Sequence, residues 1–145
     1  MSKTFTLREA RVLLPVLEGL LQSARDARRQ VEAADEKLQQ VVIRVLVMGG
    51  VQIDPIAMAA LRAGRERQMQ RLRDALGELN ASGVQVKDLD QGLLDFPCLM
   101  NGRVVLLCWK LGEESIAWWH GTEEGFAGRK PLDPTLLDDD STPIH

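Results

Sequence analysis

The 145-residue sequence lacks several features that mark particular classes of protein. It has only two cysteines, too few for a framework of cysteine pairs that binds zinc. Its longest apolar run, near Val41–Met48, is interrupted by Arg44 and is far shorter than the roughly 18 residues that cross a bilayer. The N-terminus has no apolar core with a cleavage site, as a secretory signal would. We therefore predict a cytoplasmic protein without a membrane span.

A strong excess of charge of one sign is also missing. The formal net charge is −3, and charged residues make up 27% of the chain. General binding of nucleic acid usually needs a basic surface, so we predict no nucleic-acid partner. The hydrophobic content of 45% and the length suit one globular domain with one core.

Aromatic residues are scarce, and most of them lie in the stretch Leu93–Leu132, which also contains both cysteines and His120. Its short apolar segments are typical of strands. Asn101-Gly102 lies between two of them and favours a type I′ turn, which needs two residues that accept positive φ. A third strand is predicted over Ser115–His120, and its register stays open by one residue.

A two-residue turn at Asn101-Gly102 fixes the register of the predicted hairpin, in which Asp95 lies opposite Cys108. Since side chains alternate along a strand, Cys98 and Cys108 then lie on opposite faces. A disulfide between them is not expected, and a reducing cytoplasm fits. Two groups of residues are predicted to form the two faces: Phe96, Cys98, Val105, Leu107 and Trp109 on one, and Asp95, Leu99, Leu106, Cys108 and Lys110 on the other.

The first half of the sequence predicts two long helices. Thr6 and Glu9 have the spacing of a capping box, and Pro15 either kinks the helix or begins a new one. Asp54 and Pro55 have the pattern of a second helix start. The first helix has an apolar stripe with 3,4 spacing: Leu17, Leu20, Ala24, Ala27, Val31, Ala34, Leu38, Val41, Val45 and Met48.

The stripe of the second helix is weaker, because Arg65 and Gln68 occupy its middle. We therefore predict a homodimer through the helices, in which a second chain covers part of the first stripe. The arginines of the second helix form a basic side, which is either a solvated face or a surface for an acidic partner: Arg62, Arg65, Arg67, Arg71 and Arg73.

Four runs of the sequence carry a family resemblance: FTLREARVLLPVLEGLL, GVQVKDLD, DFPCLMNGRVVLLCWKLGEESIAWWH and GFAGRKPL. Together they resemble an uncharacterised bacterial family catalogued as domain of unknown function 2203, over about residues 5–132. The chain departs from the expected pattern at Gly112–Ser115, where a glycine–glutamate–X–glutamate run is expected, and at Gly121, where an acidic residue is expected. The family has no assigned activity, so the resemblance supports the fold and leaves the function open.

The predicted fold is α+β, as a single domain over residues 1–132. A long antiparallel helical hairpin of coiled-coil type over 6–48 and 55–82 precedes a small antiparallel sheet of three or four strands over 84–120. Residues 121–132 are predicted as an ordered loop. Residues 133–145 combine aspartates with Pro, Ser and Thr and are predicted as a disordered acidic tail.

Four residues are predicted to converge near one end of the sheet as a ligand-binding site: Asp95, His120, Glu123 and Arg129. His120 and Glu123 offer nitrogen and oxygen ligands for a metal such as zinc or manganese, with Asp95, Glu113 and Glu124 as further candidates. Alternatively, His120 only ends a strand and hydrogen-bonds a turn. The loop Gly125–Lys130 either holds an anion or is structural, with Arg129 pairing a carboxylate.

No catalytic residue is predicted. Cys108 is a poor nucleophile beside Asp95, because a neighbouring carboxylate raises the pKa of a thiol. The sequence therefore favours a non-catalytic interaction or adaptor protein that uses the helical hairpin for self-association or partner binding. The alternative is a small metal- or anion-dependent enzyme with its site around His120, and neither the cofactor nor the metal is specified.

Overall fold

The structure, a computed structural model, describes residues 3–49 and 53–133. It has two long helices followed by a five-stranded antiparallel sheet, which confirms the α+β class. The elements are α1 (Leu7–Met48), α2 (Pro55–Ser82), β1 (Gln85–Asp88), β2 (Leu93–Met100), β3 (Arg103–Lys110), β4 (Trp118–Gly121), a 3₁₀ turn (Phe126–Gly128) and β5 (Lys130–Pro131).

The chain divides into two compact units. Met1–Leu21 and Gly77–His145 form one, which contains the sheet and is called the sheet unit below. Gln22–Leu76 forms the other, called the hairpin unit, which contains most of both helices. Residues 134–145, which make up nearly all of the predicted acidic tail, lie outside the described residues.

Both helix starts follow the predicted capping chemistry. The Thr6 amide donates to Glu9 Oε1 at 2.9 Å, and the Glu9 amide donates to Thr6 Oγ1 at 3.1 Å. Asp54 Oδ1 accepts from the first amides of α2 at 3.0 and 3.3 Å. Pro15 lies inside α1, which continues through it as one helix. Gly83, with φ of 98°, directly follows the end of α2, as the sequence predicted.

In the hairpin unit, the two helices pack through the apolar stripe of α1 and through ion pairs. Ala24, Ala27, Val31 and Ala34 of the stripe are buried. Arg71 Nη1 of α2 lies 2.6 Å from Asp26 Oδ2 of α1, and Arg65 pairs with Asp35. Part of the basic side of α2 is therefore met by carboxylates of α1 in the same hairpin.

The sheet has the strand order β1-β2-β3-β4-β5. The turn between β2 and β3 has positive φ at Asn101 (54°) and Gly102 (77°), which explains the choice of these two residues. The predicted register of this hairpin is confirmed, with Asp95 opposite Cys108. The predicted division of the hairpin residues between two faces follows from that register.

The remaining strands differ from the predictions in number and position. A fifth strand, Lys130–Pro131, pairs with β4 inside the segment predicted as a loop. The third predicted strand begins at Trp118 instead of Ser115. The reason is that the Glu113 side chain accepts from the amide of Lys110 at 2.8 Å, so that amide needs no partner in a neighbouring strand. β1, Gln85–Asp88, lies at the start of the predicted sheet region.

One face of the sheet packs in an apolar core of the sheet unit. Phe96 meets Phe5 edge to face, with 5.4 Å between the ring centroids. Trp109 is fully buried and belongs to this core, whereas Trp118 and Trp119 are only partly buried. Among the described residues, no helix has a stretch that is both long and apolar enough to cross a membrane.

Candidate functional site

Three neighbouring strands place Asp95, Cys108 and His120 on the same face of the sheet, opposite the Phe96 side. Asp95 of β2 pairs with Cys108 of β3, and His120 of β4 pairs with Leu106, two residues before Cys108. Residues two apart on a strand point to the same face. One donor atom from each of the three side chains lies within 4.8 Å of the others. We call these three residues the buried trio.

The trio is almost completely shielded from water. Asp95 and His120 are each 2% exposed, and Cys108 is 1% exposed. His120 Nε2 lies 3.0 Å from Asp95 Oδ2. The strand order therefore brings Asp95 and His120 together as expected, with His120 paired to Leu106. Their role in ligand binding stays a prediction.

Both ring nitrogens of His120 face oxygen atoms. Nδ1 lies 2.9 Å from the carbonyl oxygen of Gly121, and a carbonyl can only accept, so Nδ1 carries a proton. In a neutral imidazole Nε2 then has a lone pair, which faces the carboxyl group of Asp95. Two acceptors cannot share a contact of 3.0 Å unless a proton or another cation lies between them.

The Asp95 carboxyl group is a suitable place for such a proton. Burial raises the pKa of Asp95, while the charge and hydrogen bond of His120 and the charge of Lys87 act in the opposite direction. A protonated Asp95 can donate to His120 Nε2. The contact with the Gly121 carbonyl also agrees with the alternative expectation, in which His120 forms a hydrogen bond near the end of a strand.

Cys108 is not an activated nucleophile. Burial raises the pKa of its thiol to about 11, and the charge of Asp95 adds to the effect. The hydrogen bond and charge of Arg129 lower the pKa but do not offset the burial. The thiol is therefore protonated at neutral pH, in agreement with the expectation from its neighbour Asp95. Cys98 and Cys108 do not form a disulfide with each other.

Arg129 lies beside the trio in the segment after β4. Its guanidinium carbon is 4.1 Å from the centroid of the Phe126 ring and 4.6 Å from that of Trp118. Its nitrogens reach Glu113 at 2.9 and 3.2 Å. Trp118 pairs with Cys108 across the sheet, which explains how Arg129 reaches the sulfur. The two-point contact with Glu113 holds the guanidinium over this edge of the trio.

The neighbouring cation, Lys130, is engaged in a similar way. Its Nζ lies 2.6 Å from Glu124 Oε1 and 4.7 Å from the centroid of the Trp119 ring. Arg129 and Lys130 thus both meet carboxylates of the chain itself. This arrangement supports the structural interpretation of Gly125–Lys130 and gives no support to an anion site there.

Among known proteins, only a family model matches the chain. Residues 3–132 match a family described as an uncharacterized conserved protein (DUF2203). The chain belongs to the DUF2203 family. The resemblance seen in the sequence is thereby confirmed. No curated protein and no solved structure matches the chain, so membership of the DUF2203 family assigns no activity.

One departure of this DUF2203 chain from the expected pattern has a structural explanation. The amide of Gly121, which stands where an acidic residue is expected, donates to Glu124 Oε1 at 2.9 Å. A Cβ atom at position 121 would lie 3.0 Å from the same oxygen. The close approach of the Glu124 carboxylate thus favours glycine at this position.

The predicted site residues of the DUF2203 chain separate into two groups. Asp95 and His120 touch, and Arg129 reaches the same cluster through Cys108. Glu123, by contrast, is exposed and is not a member of the cluster. Of the further metal candidates, Glu113 binds Arg129 and Glu124 binds Lys130.

Cys108 was missing from the predicted set of ligands. The signal for it was present, because the Asn101-Gly102 register already placed Cys108 opposite Asp95. A raised thiol pKa is unfavourable for a nucleophile. A metal ligand has a different requirement, since a bound cation removes the thiol proton.

Proposed function

We propose that this protein is a non-catalytic interaction protein that self-associates through the end of its hairpin unit. The observation that carries the proposal is a group of large apolar side chains around the connection between α1 and α2, each at least 45% exposed. We call this group the apolar tip: Val42, Ile43, Leu46, Val47, Met48, Ile53 and Ile56.

The apolar tip lies beyond the part of the α1 stripe that is buried within the hairpin unit. Within the hairpin unit the stripe of α1 is buried from Ala24 to Ala34, but Leu38, Val41 and Val45 are only partly buried. An extended exposed apolar patch on a soluble protein commonly marks an interface. Among its described residues the sheet unit has fewer such side chains, in two pairs: Val12 with Val16, and Leu99 with Val104.

A second copy of the chain is the occupant that fits the tip best. The spacing of the stripe is the one that packs against another helix, and a two-fold axis pairs identical patches without a further partner. A cavity of about 190 Å³ at the tip is lined by both helices. Arg44 and Asp54 are at its wall and offer charges of both signs to a second copy.

Sedimentation equilibrium of the full chain at tens of micromolar tests the proposal. Leu46→Glu places a charge on the tip, and Gln40→Glu places the same charge on an exposed position of the same helix. We expect a dimer for the wild type and for Gln40→Glu, and a monomer for Leu46→Glu. A wild type that remains monomeric at these concentrations would refute self-association.

The alternative, a small metal- or anion-dependent enzyme around His120, has less support. Each member of the buried trio is at most 2% exposed, so a substrate larger than an ion does not reach its atoms in this structure. The pKa of Cys108, raised to about 11, also disfavours a thiolate nucleophile. A cytoplasmic location remains part of the proposal, because two cysteines on opposite faces of a sheet suit a reducing compartment.

A further inference from the structure

We propose that Asp95, Cys108 and His120 form a buried binding site for one divalent metal ion of the zinc class, which ties together strands β2, β3 and β4. The inference does not depend on self-association, because all three residues belong to the sheet unit. Its role is structural: the ion stabilises the sheet and contacts no substrate.

The three donor atoms match the ligand chemistry of zinc. Zinc takes thiolate sulfur, imidazole nitrogen and carboxylate oxygen at distances of about 2.0–2.3 Å. A tetrahedral ion with such bonds needs donor atoms about 3.5 Å apart. In the structure the donors lie within 4.8 Å of one another, so the side chains need to move by only about 1 Å. The second Asp95 oxygen or a water molecule can complete the coordination.

The orientation of His120 is the one that a metal ligand needs. Its Nδ1 proton is held by the Gly121 carbonyl at 2.9 Å, which fixes the tautomer and leaves the Nε2 lone pair facing the trio. Nε2 faces Asp95 Oδ2 at 3.0 Å, where two acceptors need a cation between them. A metal ion bonded to both atoms removes this conflict, as a proton does.

Charge balance also favours a divalent ion. On binding, Cys108 loses its proton, so the thiolate and the Asp95 carboxylate together supply two negative charges. A divalent ion neutralises both, which a buried site requires. Arg129 and Glu113 already neutralise each other next to the site. The positive charge of Arg129, which lowers the pKa of Cys108, then stabilises the thiolate.

The competing explanation needs no metal. A proton on Asp95 satisfies Nε2, and the Cys108 thiol can hydrogen-bond the same carboxyl group. The two explanations differ in what the folded chain retains. A proton network retains no metal, whereas the proposed site retains one ion per chain and loses it when any ligand is changed.

The test is metal uptake by the full chain during refolding, because a buried site exchanges its ion slowly once folded. The chain is unfolded with a chelator, freed of metal and refolded with Zn²⁺ or Co²⁺. We expect one equivalent of either metal per chain, a higher melting temperature than for the metal-free chain, and thiolate-to-cobalt absorption in the near ultraviolet. Binding should weaken by about tenfold or more in Cys108→Ser and Asp95→Asn.

Two controls keep the outcome decisive. Cys98→Ser removes the other buried cysteine, which lies on the opposite face of the sheet, and should bind metal as the wild type does. Asp95→Asn retains a donor for His120 Nε2 in its amide group, so this variant should fold without metal. Circular dichroism confirms folding in each case. A folded wild type that takes up no metal, or wild-type uptake in folded Cys108→Ser, would overturn the proposal.

Discussion

The sheet unit and the hairpin unit use apolar and polar residues in different ways. In the sheet unit, Phe96 and Trp109 are completely buried, and the buried trio is closed off on the other face of the same sheet. In the hairpin unit, a stripe that is buried as far as Ala34 is followed by the exposed apolar tip. The sheet unit thus has two buried layers, whereas the hairpin unit leaves part of its apolar pattern uncovered.

The polar side-chain contacts of the two units differ in the same way. Arg71 and Asp26 of the hairpin unit are about half exposed, with side-chain values of 41% and 44%, and such pairs contribute little to stability. The side chains of Asp95 and His120 in the sheet unit are only 3% exposed, so loss of one partner leaves the other buried without it. Substitutions in the sheet unit should therefore have larger effects on stability than those in the hairpin unit.

The largest loss is expected for Trp109→Ala. The indole is fully buried and its Nε1 donates to the Glu113 carbonyl at 3.1 Å, so the substitution creates a cavity and removes a hydrogen bond. We expect the free energy of unfolding to fall by about 3–5 kcal/mol in urea denaturation. Trp119→Ala, at a partly buried position of the same sheet, is the matched control and should cost less. Equal losses in both variants would contradict the assignment of Trp109 to the core.

His120→Ala should have the next largest effect in metal-free protein. The substitution removes the His120 contact of the buried Asp95 carboxyl group, while the Gly121 carbonyl keeps the hydrogen bond from the Glu124 amide at 3.0 Å. We expect a loss of about 1–3 kcal/mol in the free energy of unfolding, measured with urea. Glu123→Ala, at an exposed position nearby, should change the value by less than about 0.5 kcal/mol. A loss for His120→Ala as small as that of its control would show that the trio does not stabilise the sheet.

The parts of the fold that were predictable from the sequence depend on local backbone chemistry. Asn101 and Gly102 accept the positive φ of a tight turn, and that turn alone sets the register of Asp95 against Cys108. The capping pair Thr6 and Glu9 was likewise readable from three-residue spacing. In both cases the decisive contacts join residues that are close in the chain.

The parts that were not predictable depend on side chains that act across the sheet. The Glu113 side chain accepts the hydrogen bond of the Lys110 amide, so β4 begins further along the chain than predicted. No periodic pattern in the sequence signals this contact. The contacts of Arg129 with Trp118 and Glu113 join three separate segments. Of the candidate site, the contact of Asp95 with His120 followed from strand order, whereas the exclusion of Glu123 required the path of the loop.

A smaller effect is expected from the pH dependence of Asp95 in metal-free protein. Burial raises the pKa of Asp95 in the folded chain despite His120, Lys87 and its contact with Cys108. A raised pKa contributes stability below the unfolded value, about 4, and that contribution is lost as the pH rises through the folded value. Asp95→Asn removes this pH-dependent loss of stability. The stability of the variant relative to the wild type should therefore increase from pH 4 to pH 8. A constant difference over this range in urea denaturation would contradict the raised pKa.

The smallest effect is expected for Asp26→Asn, whose carboxylate lies at the surface of the hairpin unit. The hydrogen bond and charge of Arg71 hold the pKa of Asp26 below its usual value. A lowered pKa contributes stability above the unfolded value of about 4, and that contribution disappears as the pH falls through the folded value. The variant should therefore melt slightly below the wild type at pH 7, and the difference should vanish in acid, the opposite sign to Asp95→Asn. High salt should reduce the difference at pH 7, because exposed charges are screened. A difference in melting temperature that is independent of both pH and salt would show that Asp26 acts through packing and not through its pairing with Arg71.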